Sequence, residues 1–125
     1  MKKILILGTA LLCGFLCRVA AQGVEFRDLT FGQALEQART ENKLVFMDCY
    51  TSWCGPCKNM LKNVFTLPEA GEFMNAHFVC VKYDMEKGEG IGLKKQFAVR
   101  AFPTFFIIRP DGTLQHRLAE GSQWE

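Results

Sequence analysis

The run LVFMDCY at Leu44–Tyr50 constrains the fold of this chain more than any other segment. It is almost continuously apolar and shows no alternation of apolar and polar residues, which is the pattern of a strand covered on both faces. Such strands lie inside sheets that carry helices on both sides. The one charged residue of the run, Asp48, is therefore expected to be buried, and a buried carboxylate is costly unless its pKa rises or it finds a partner.

Helices and further strands are predicted on both sides of this run. Thr30 and Gln33 form a capping-box pattern, which predicts a helix that ends near 41–43. The other predicted elements, in chain order, are a short strand at 24–27, a helix at 54–64, a helix at 68–76, a strand at 78–84, a loop at 86–90, a helix that contains Ile91, Leu93 and Phe97, and a hairpin of strands at 104–109 and 113–118. This order predicts a single α/β domain with a central mixed β-sheet flanked by helices.

The first 21 residues have the layout of a secretory signal peptide. Lys2 and Lys3 precede an apolar run at 4–16, and small residues lead up to Ala21. Thirteen helical residues span about 20 Å, which is less than the roughly 30 Å hydrocarbon core of a membrane. Cleavage after Ala21 is therefore favoured over membrane anchoring, and the mature domain is expected to comprise residues 22–125.

Removing this segment changes both the charge balance and the cysteine count. The chain has 15 basic and 13 acidic residues; without residues 1–21 the basic residues number 12, and the net charge becomes −1. Because no basic stripe with interleaved aromatic residues is present, nucleic acid is not expected as a partner. The six cysteines fall to four, and in an exported protein these thiols meet an oxidising compartment, where disulfides persist.

The pair Cys54 and Cys57, separated by Gly-Pro at the predicted start of a helix, carries the chemistry. A zinc site would need two more ligands, and the remaining histidines and cysteines offer no second close pair. A purely structural disulfide would close a very small loop and restrain the unfolded chain little. Both alternatives rank below a redox-active dithiol. No metal is expected, and no cofactor other than the Cys54–Cys57 disulfide itself.

The position of the two cysteines at the helix start predicts which sulfur is the nucleophile and which is the resolving thiol. Unpaired N–H groups and the positive end of the helix dipole stabilise a thiolate, so Cys54, beside Trp53, is expected to be the exposed nucleophile with a low pKa. Cys57, one turn further along and shielded, is the expected resolving thiol. Gly55 permits the close approach of a partner chain, and Pro56 fixes φ where a missing N–H costs the helix nothing.

Asp48 precedes this dithiol in the same segment, so its carboxyl group is expected beneath the helix, behind Cys57. With a raised pKa, such a carboxyl can accept the proton of the resolving thiol, through water. The plainer alternative is a residue at the strand end that is bonded to loop amides.

Two motifs resemble those of the thioredoxin family. WCGPCK at 53–58 resembles its active-site motif, with Asp48 at the family's spacing, and VRAFPT at 99–104 resembles its second hallmark, a cis-proline loop that faces the dithiol. The resemblance covers about residues 31–121. It implies a thioredoxin-like fold and a cis bond between Phe102 and Pro103, and it makes this loop a backbone partner of the substrate. The substrate contacts implied or expected are therefore Trp53, Gly55, Pro56, Phe102 and Pro103.

Three features depart from the family pattern. The loop at 86–90 is longer than in a minimal thioredoxin, and the basic residue beside the buried carboxyl is replaced by Cys80, with Lys82 as the nearest base. A capping-box pattern, SQWE at 122–125, predicts the start of a helix at the point where the sequence stops. The final helix is therefore expected to be missing and the domain to be truncated.

The Gly-Pro pair between the cysteines resembles the reducing branch of the family. The leading hypothesis is an exported protein-disulfide reductase, monomeric and periplasmic, in a Gram-negative envelope. Its expected partners are disulfide-containing proteins and a membrane-embedded thiol electron donor. A thioredoxin-fold binding module without turnover and a dedicated reductase for apocytochrome thiols remain open as alternatives.

Overall fold

The computed structural model describes residues 23–119, so the predicted signal peptide and the capping box at 122–125 lie outside the described residues. The helices and strands of this range are α1 (Phe31–Glu41), β1 (Leu44–Tyr50), α2 (Gly55–Asn63), α3 (Pro68–His77), β2 (Phe78–Asp84), α4 (Glu89–Gln96), β3 (Thr104–Ile108) and β4 (Leu114–Ala119). None of the helices in this range is long and apolar enough to cross a membrane.

The four strands form one mixed sheet in the order β2-β1-β3-β4. Strand β1 pairs in parallel with β2 and antiparallel with β3, and β3 pairs antiparallel with β4. The apolar run of β1 therefore has a neighbouring strand on each side, and its residues from Val45 to Cys49 are buried. The prediction of a central mixed sheet is confirmed.

The side chains of β1 alternate between two apolar layers. Val45, Met47 and Cys49 belong to a core on one face of the sheet, shared with residues of α1 and α4. Phe46 points to the opposite face, where residues of α2 and α3 cover the sheet. Because successive side chains of a strand point to opposite faces, Asp48 lies on the same face as Phe46 and α2.

The predicted capping box of α1 is present. The Thr30 hydroxyl accepts a hydrogen bond from the Gln33 backbone N–H (3.2 Å), and the Gln33 side chain accepts one from the Thr30 backbone N–H (3.0 Å). Helix α1 ends at Glu41, where Asn42 takes a left-handed conformation (φ 54°) that closes the helix. The predicted start and end of this helix are therefore both confirmed.

The strand predicted at 24–27 is wrong. Only an isolated bridge joins Phe26 to Cys80 in β2, with the Arg27 N–H donating to the Cys80 carbonyl (2.8 Å). Pairing stops there because the chain turns, and the Leu29 N–H bonds back to the Arg27 carbonyl (3.0 Å). In the N-terminal segment, residues 23–29, only Phe26 and Arg27 pair with the outer edge of β2, while the Val24 N–H donates to the Phe65 carbonyl (2.7 Å).

The loop predicted over 86–90 is shorter than expected, because α4 begins at Glu89. Gly90 makes this early start possible. A Cβ atom at Gly90 would lie 1.8 Å from the carbonyl oxygen of Asp84, the last residue of β2. The absence of a side chain therefore lets the first turn of α4 pack directly against the end of the strand.

Candidate active site

The two cysteines of the Cys-Gly-Pro-Cys motif meet at the N-terminus of α2. Their sulfur atoms form a disulfide (S–S 2.15 Å, Cα–Cα 5.3 Å). Cys54 is the N-cap of the helix, and its Sγ accepts a hydrogen bond from the Cys57 backbone N–H at 3.1 Å. The sulfur expected to act as nucleophile thus receives an otherwise unpaired N–H of the first turn, which is the group that stabilises a thiolate when the pair is reduced.

The expected exposure of Cys54 is wrong for this oxidised form. Cys54 is 3% exposed and Cys57 is 2% exposed, so neither sulfur stands out into solvent. The Cys54 sulfur is bonded to Cys57 and accepts the Cys57 N–H in the first turn of α2. The residues around it are open instead: Gly55 and Pro56 are exposed, and Trp53 is 65% exposed. A partner chain therefore meets these residues first.

Asp48 is buried with an unsatisfied carboxyl oxygen. It is 1% exposed, and its Oδ1 has no hydrogen-bond partner within residues 23–119. Burial raises the pKa of Asp48 to about 7, while the charge of Lys82 opposes the shift. A carboxyl group with this pKa exchanges protons near neutral pH, which is what a proton acceptor needs.

The strand register corrects the sequence comparison around this carboxyl. Asp48 lies opposite Lys82 of β2, whereas Cys80 lies opposite Phe46, two residues earlier. The basic neighbour of the buried carboxyl is therefore present as Lys82, and the expectation that Cys80 replaces it is wrong. The error arose because sequence alone did not align the two strands.

The proline loop forms the second wall of the site. The Phe102–Pro103 bond is cis, as the resemblance implied. The Phe102 ring packs edge-to-face against the Trp53 ring at 6.0 Å between centroids, so this loop lies beside the residue that precedes Cys54. Pro103 is buried and Phe102 is partly exposed.

Two residues of the site were missed by the sequence analysis. The Trp53 indole N–H donates a hydrogen bond to the Glu86 carboxylate, and the Lys94 Nζ lies 5.9 Å from the centroid of the Phe102 ring. One signal for Glu86 was available. Strands β1 and β2 are parallel, so the loops after them leave the sheet at the same edge, and functional groups gather at that edge of α/β sheets.

An apolar groove opens on the α2 side of the sheet. Its volume is about 550 Å³, and it reaches from Pro56 and Pro103, beside the disulfide, to Leu118 and Ala119 in β4. Aromatic side chains of α3 and of the strands form much of its lining, including Phe73, Phe78 and Phe105. The groove therefore continues the active-site surface with an apolar face.

Metal-binding residues do not cluster in the described part of the chain: within residues 23–119, no three His, Cys, Asp or Glu side chains are placed to hold a metal ion.

Comparison with known proteins identifies the family. The family model that describes the thioredoxin-like domain matches residues 31–123 of this sequence. The chain belongs to the thioredoxin-like family. A solution structure of a candidate disulphide-isomerase from Bacteroides thetaiotaomicron is 45% identical and superposes with a TM-score of 0.72, covering 83% of this chain and 86% of that one. The DsbH oxidoreductase, 23% identical with a TM-score of 0.70, shares the fold over 82% of this chain and 76% of that one.

The curated relatives of this thioredoxin-like chain extend beyond the matched region. Thioredoxin-1 of Drosophila melanogaster is 35% identical over 74 residues, which cover 59% of this chain and 64% of that protein. The thiol:disulfide interchange protein DsbD of Pseudomonas fluorescens is 31% identical over 81 residues, 64% of this chain and 14% of that protein. This chain therefore spans less than two thirds of these relatives.

Proposed function

We propose that this thioredoxin-like protein is a protein-disulfide oxidoreductase that works mainly as a reductase. The observation that carries the proposal is the Cys54–Cys57 pair at the N-terminus of α2. A dithiol placed one helical turn apart can exchange electrons with a substrate disulfide, and the helix end stabilises the Cys54 thiolate when the pair is reduced.

The proposed reaction proceeds through a mixed disulfide. In the reduced protein the Cys54 thiolate attacks one sulfur of a substrate disulfide; a bond forms between these two sulfurs, and the second substrate sulfur leaves and takes up a proton. Cys57 then loses its proton and attacks the Cys54 sulfur; the bond between Cys54 and the first substrate sulfur breaks, and that sulfur leaves as a thiolate and takes up a proton. Two electrons pass to the substrate, and the protein is left with the Cys54–Cys57 disulfide.

Asp48 is the proposed acceptor of the Cys57 proton. It lies on the α2 face of the sheet, is buried, and has a pKa of about 7. A carboxylate that titrates in this range takes a proton from a thiol more readily than an ordinary aspartate would. Lys82, opposite Asp48, keeps part of the carboxyl population ionised at neutral pH.

The direction of transfer rests on the residues between the cysteines. Gly-Pro in this position is the pair found in thioredoxin, whose potential of about −270 mV serves as the reference for a reductase, against about −120 mV for a strong oxidant. At 1.4 kcal/mol per 30 mV, this difference is about 7 kcal/mol, which is enough to set the direction. Equilibration with glutathione measures the potential, and a value above about −200 mV would rule out the reductase.

The protein is further proposed to be exported by cleavage after Ala21 and to act as a monomer in the periplasm. A reductase in an oxidising compartment must be re-reduced, so a membrane-embedded thiol donor is its proposed electron source. Disulfide-containing proteins are the proposed substrates, and the Cys57→Ser variant should trap them as mixed disulfides on Cys54. If the protein is instead a dedicated reductase for apocytochrome thiols, the Cys57→Ser variant should trap mainly that one substrate.

The apolar groove favours a second candidate, a binding module without turnover. Its lining between Pro56, Pro103 and Leu118 offers an apolar surface beside the disulfide, and exposed apolar patches mark interaction sites. Insulin reduction with a small-molecule dithiol separates the two functions. The reductase requires wild type to be faster than Cys54→Ser, whereas equal rates favour the binding module.

A further inference from the structure

A second cavity shares no lining residue with the apolar groove. It is an open hollow of about 700 Å³ between the loop after β2, helix α4 and the segment before Phe102. We call it the cationic hollow; its residues are Met85, Glu86, Ile91, Lys94, Lys95, Ala98, Val99 and Arg100.

The charges of the cationic hollow are unbalanced. Lys94, Lys95 and Arg100 line it with Glu86 as the only carboxylate. The ion pairs found within residues 23–119 join Arg27 and Lys43 to Glu41 and Lys87 to Asp84, so none of the three cations of the hollow is paired there. Unpaired cations around a concave surface produce a positive potential that attracts an anionic group.

The single carboxylate of the hollow is already engaged. Glu86 accepts the hydrogen bond from the indole of Trp53, the residue that precedes Cys54. Lys94, another residue of the hollow, lies over the Phe102 ring, and this ring contacts Trp53. The aromatic pair of Trp53 and Phe102 therefore contacts the hollow through Glu86 and Lys94, and Trp53 directly precedes Cys54, so a chain that crosses this pair reaches both.

From this arrangement we propose that the cationic hollow is a substrate subsite that takes an aspartate or glutamate side chain of the disulfide-containing polypeptide. The acidic residue lies a few positions from the cysteine that Cys54 attacks. This inference rests on the proposed function and adds the substrate class: disulfides with acidic residues on one flank. The subsite acts mainly on the encounter of the two chains, because exposed charges steer association more than they tighten the final complex.

Two synthetic peptides test the subsite. Each contains one intramolecular disulfide, and they differ only in having two glutamates or two lysines beside one cysteine. Their second-order rate constants with the reduced protein are measured by stopped flow at low and high ionic strength. We expect the acidic peptide to react roughly three- to tenfold faster at low salt, because exposed ion pairs contribute only modestly. The ratio should approach one in about 0.5 M salt.

Charge reversal in the hollow should remove this preference. The variant Lys95→Glu/Arg100→Glu keeps Lys94 on Phe102 and is expected to bring the ratio to one or below. The matched control, Lys62→Glu/Arg39→Glu, changes the net charge equally and, like Lys95→Glu, alters basic residues in the last turns of helices. It should keep the wild-type ratio. Equal rates on both peptides in the wild type, or an equal loss of preference in the control, would overturn the subsite.

Binding without turnover separates the subsite from the proposed function. The same two peptides with both cysteines replaced by serine are titrated against the oxidised Trp124→Phe variant, with the fluorescence of the exposed Trp53 as the signal. Tighter binding of the acidic peptide at low salt, lost in Lys95→Glu/Arg100→Glu, supports the subsite even if the wild type reduces neither peptide faster than Cys54→Ser does. In that case only the reductase proposal fails, whereas equal binding of both peptides contradicts the subsite.

Discussion

At the scale of single residues, burial determines the chemistry of Asp48. Its neighbours in β1 are apolar, its Oδ1 lacks a hydrogen-bond partner within residues 23–119, and Lys82 on the next strand is its nearest compensation. The sequence predicted the burial, because every side chain of a strand that is covered on both faces is buried, including a charged one. It did not predict that Lys82 stands opposite, because register is a property of two strands and not of either one.

The first prediction concerns the rate of resolution. Asp48→Asn keeps the shape of the side chain and removes the proton acceptor. Attack by Cys54 should change little, because its thiolate depends on the helix end, whereas release of the mixed disulfide should slow by roughly 10²-fold near neutral pH. Stopped-flow reduction of a peptide disulfide from pH 6 to 9 measures both steps. Identical rate profiles in the wild type and Asp48→Asn would assign Asp48 a structural role only.

The second prediction follows from the raised pKa of Asp48. Between the ordinary value of 3.8 and the folded value of about 7, the folded state holds a proton that the unfolded state has lost, so stability must fall as the pH rises through this range. The penalty is absent below pH 4 and complete above pH 7, on the order of 4 kcal/mol. Urea unfolding should therefore show Asp48→Asn gaining stability relative to wild type between pH 4 and 8. The exposed Asp28→Asn serves as the control, and parallel curves for wild type and Asp48→Asn would contradict the shift.

At the scale of elements, the local signals were sufficient where one segment decides the outcome. The capping box of Thr30, the apolar run of β1 and the Cys-Gly-Pro-Cys helix start were all predicted from neighbouring residues. Contacts between distant segments were not predicted. Glu86 and Trp53 are 33 residues apart in the sequence, and no local sequence pattern indicates their hydrogen bond. The early start of α4 belongs to the same class, because it depends on how closely Gly90 approaches β2.

The third prediction compares two glycines of α4. Gly90→Ala should destabilise the fold by about 1–3 kcal/mol, the usual cost of overpacking, because its Cβ would meet the Asp84 carbonyl at 1.8 Å. Gly92→Ala, in the same helix, meets nothing within 4 Å and should stabilise by roughly 0.5–1 kcal/mol, because alanine is the better helix former. Urea midpoints of the two variants measure the difference. A Gly90→Ala midpoint equal to that of Gly92→Ala would show that α4 shifts freely.

At the scale of the whole molecule, the sheet separates the two free cysteines. Cys49 belongs to the core on the α1 side and Cys80 to the core on the α2 side, and both are buried. Burial raises the pKa of both thiols, that of Cys80 to about 12. They are therefore neither bridged to each other nor available as thiolates while the domain is folded.

The fourth prediction is a pattern of thiol alkylation. After mild reduction of the native protein, iodoacetamide should modify Cys54 and Cys57, with Cys54 faster, and leave Cys49 and Cys80 unmodified. In denaturant all four should react. Peptide mapping by mass spectrometry assigns each site. Native alkylation of Cys49 or Cys80 at a rate near that of Cys54 would mean that the core opens far more often than its burial implies.

The single bridge between Phe26 and Cys80 has a consequence for the self-association of this protein in concentrated solution. An uncovered outer strand offers its peptide groups to any other chain and so seeds aggregation. Phe26 and Arg27, within residues 23–29, occupy that position beside β2, while exposed polar residues such as His116 and Arg117 lie on the opposite edge strand, β4. Removing residues 23–29 would therefore bare β2, and light scattering at rising protein concentration should show self-association before the fold itself is lost.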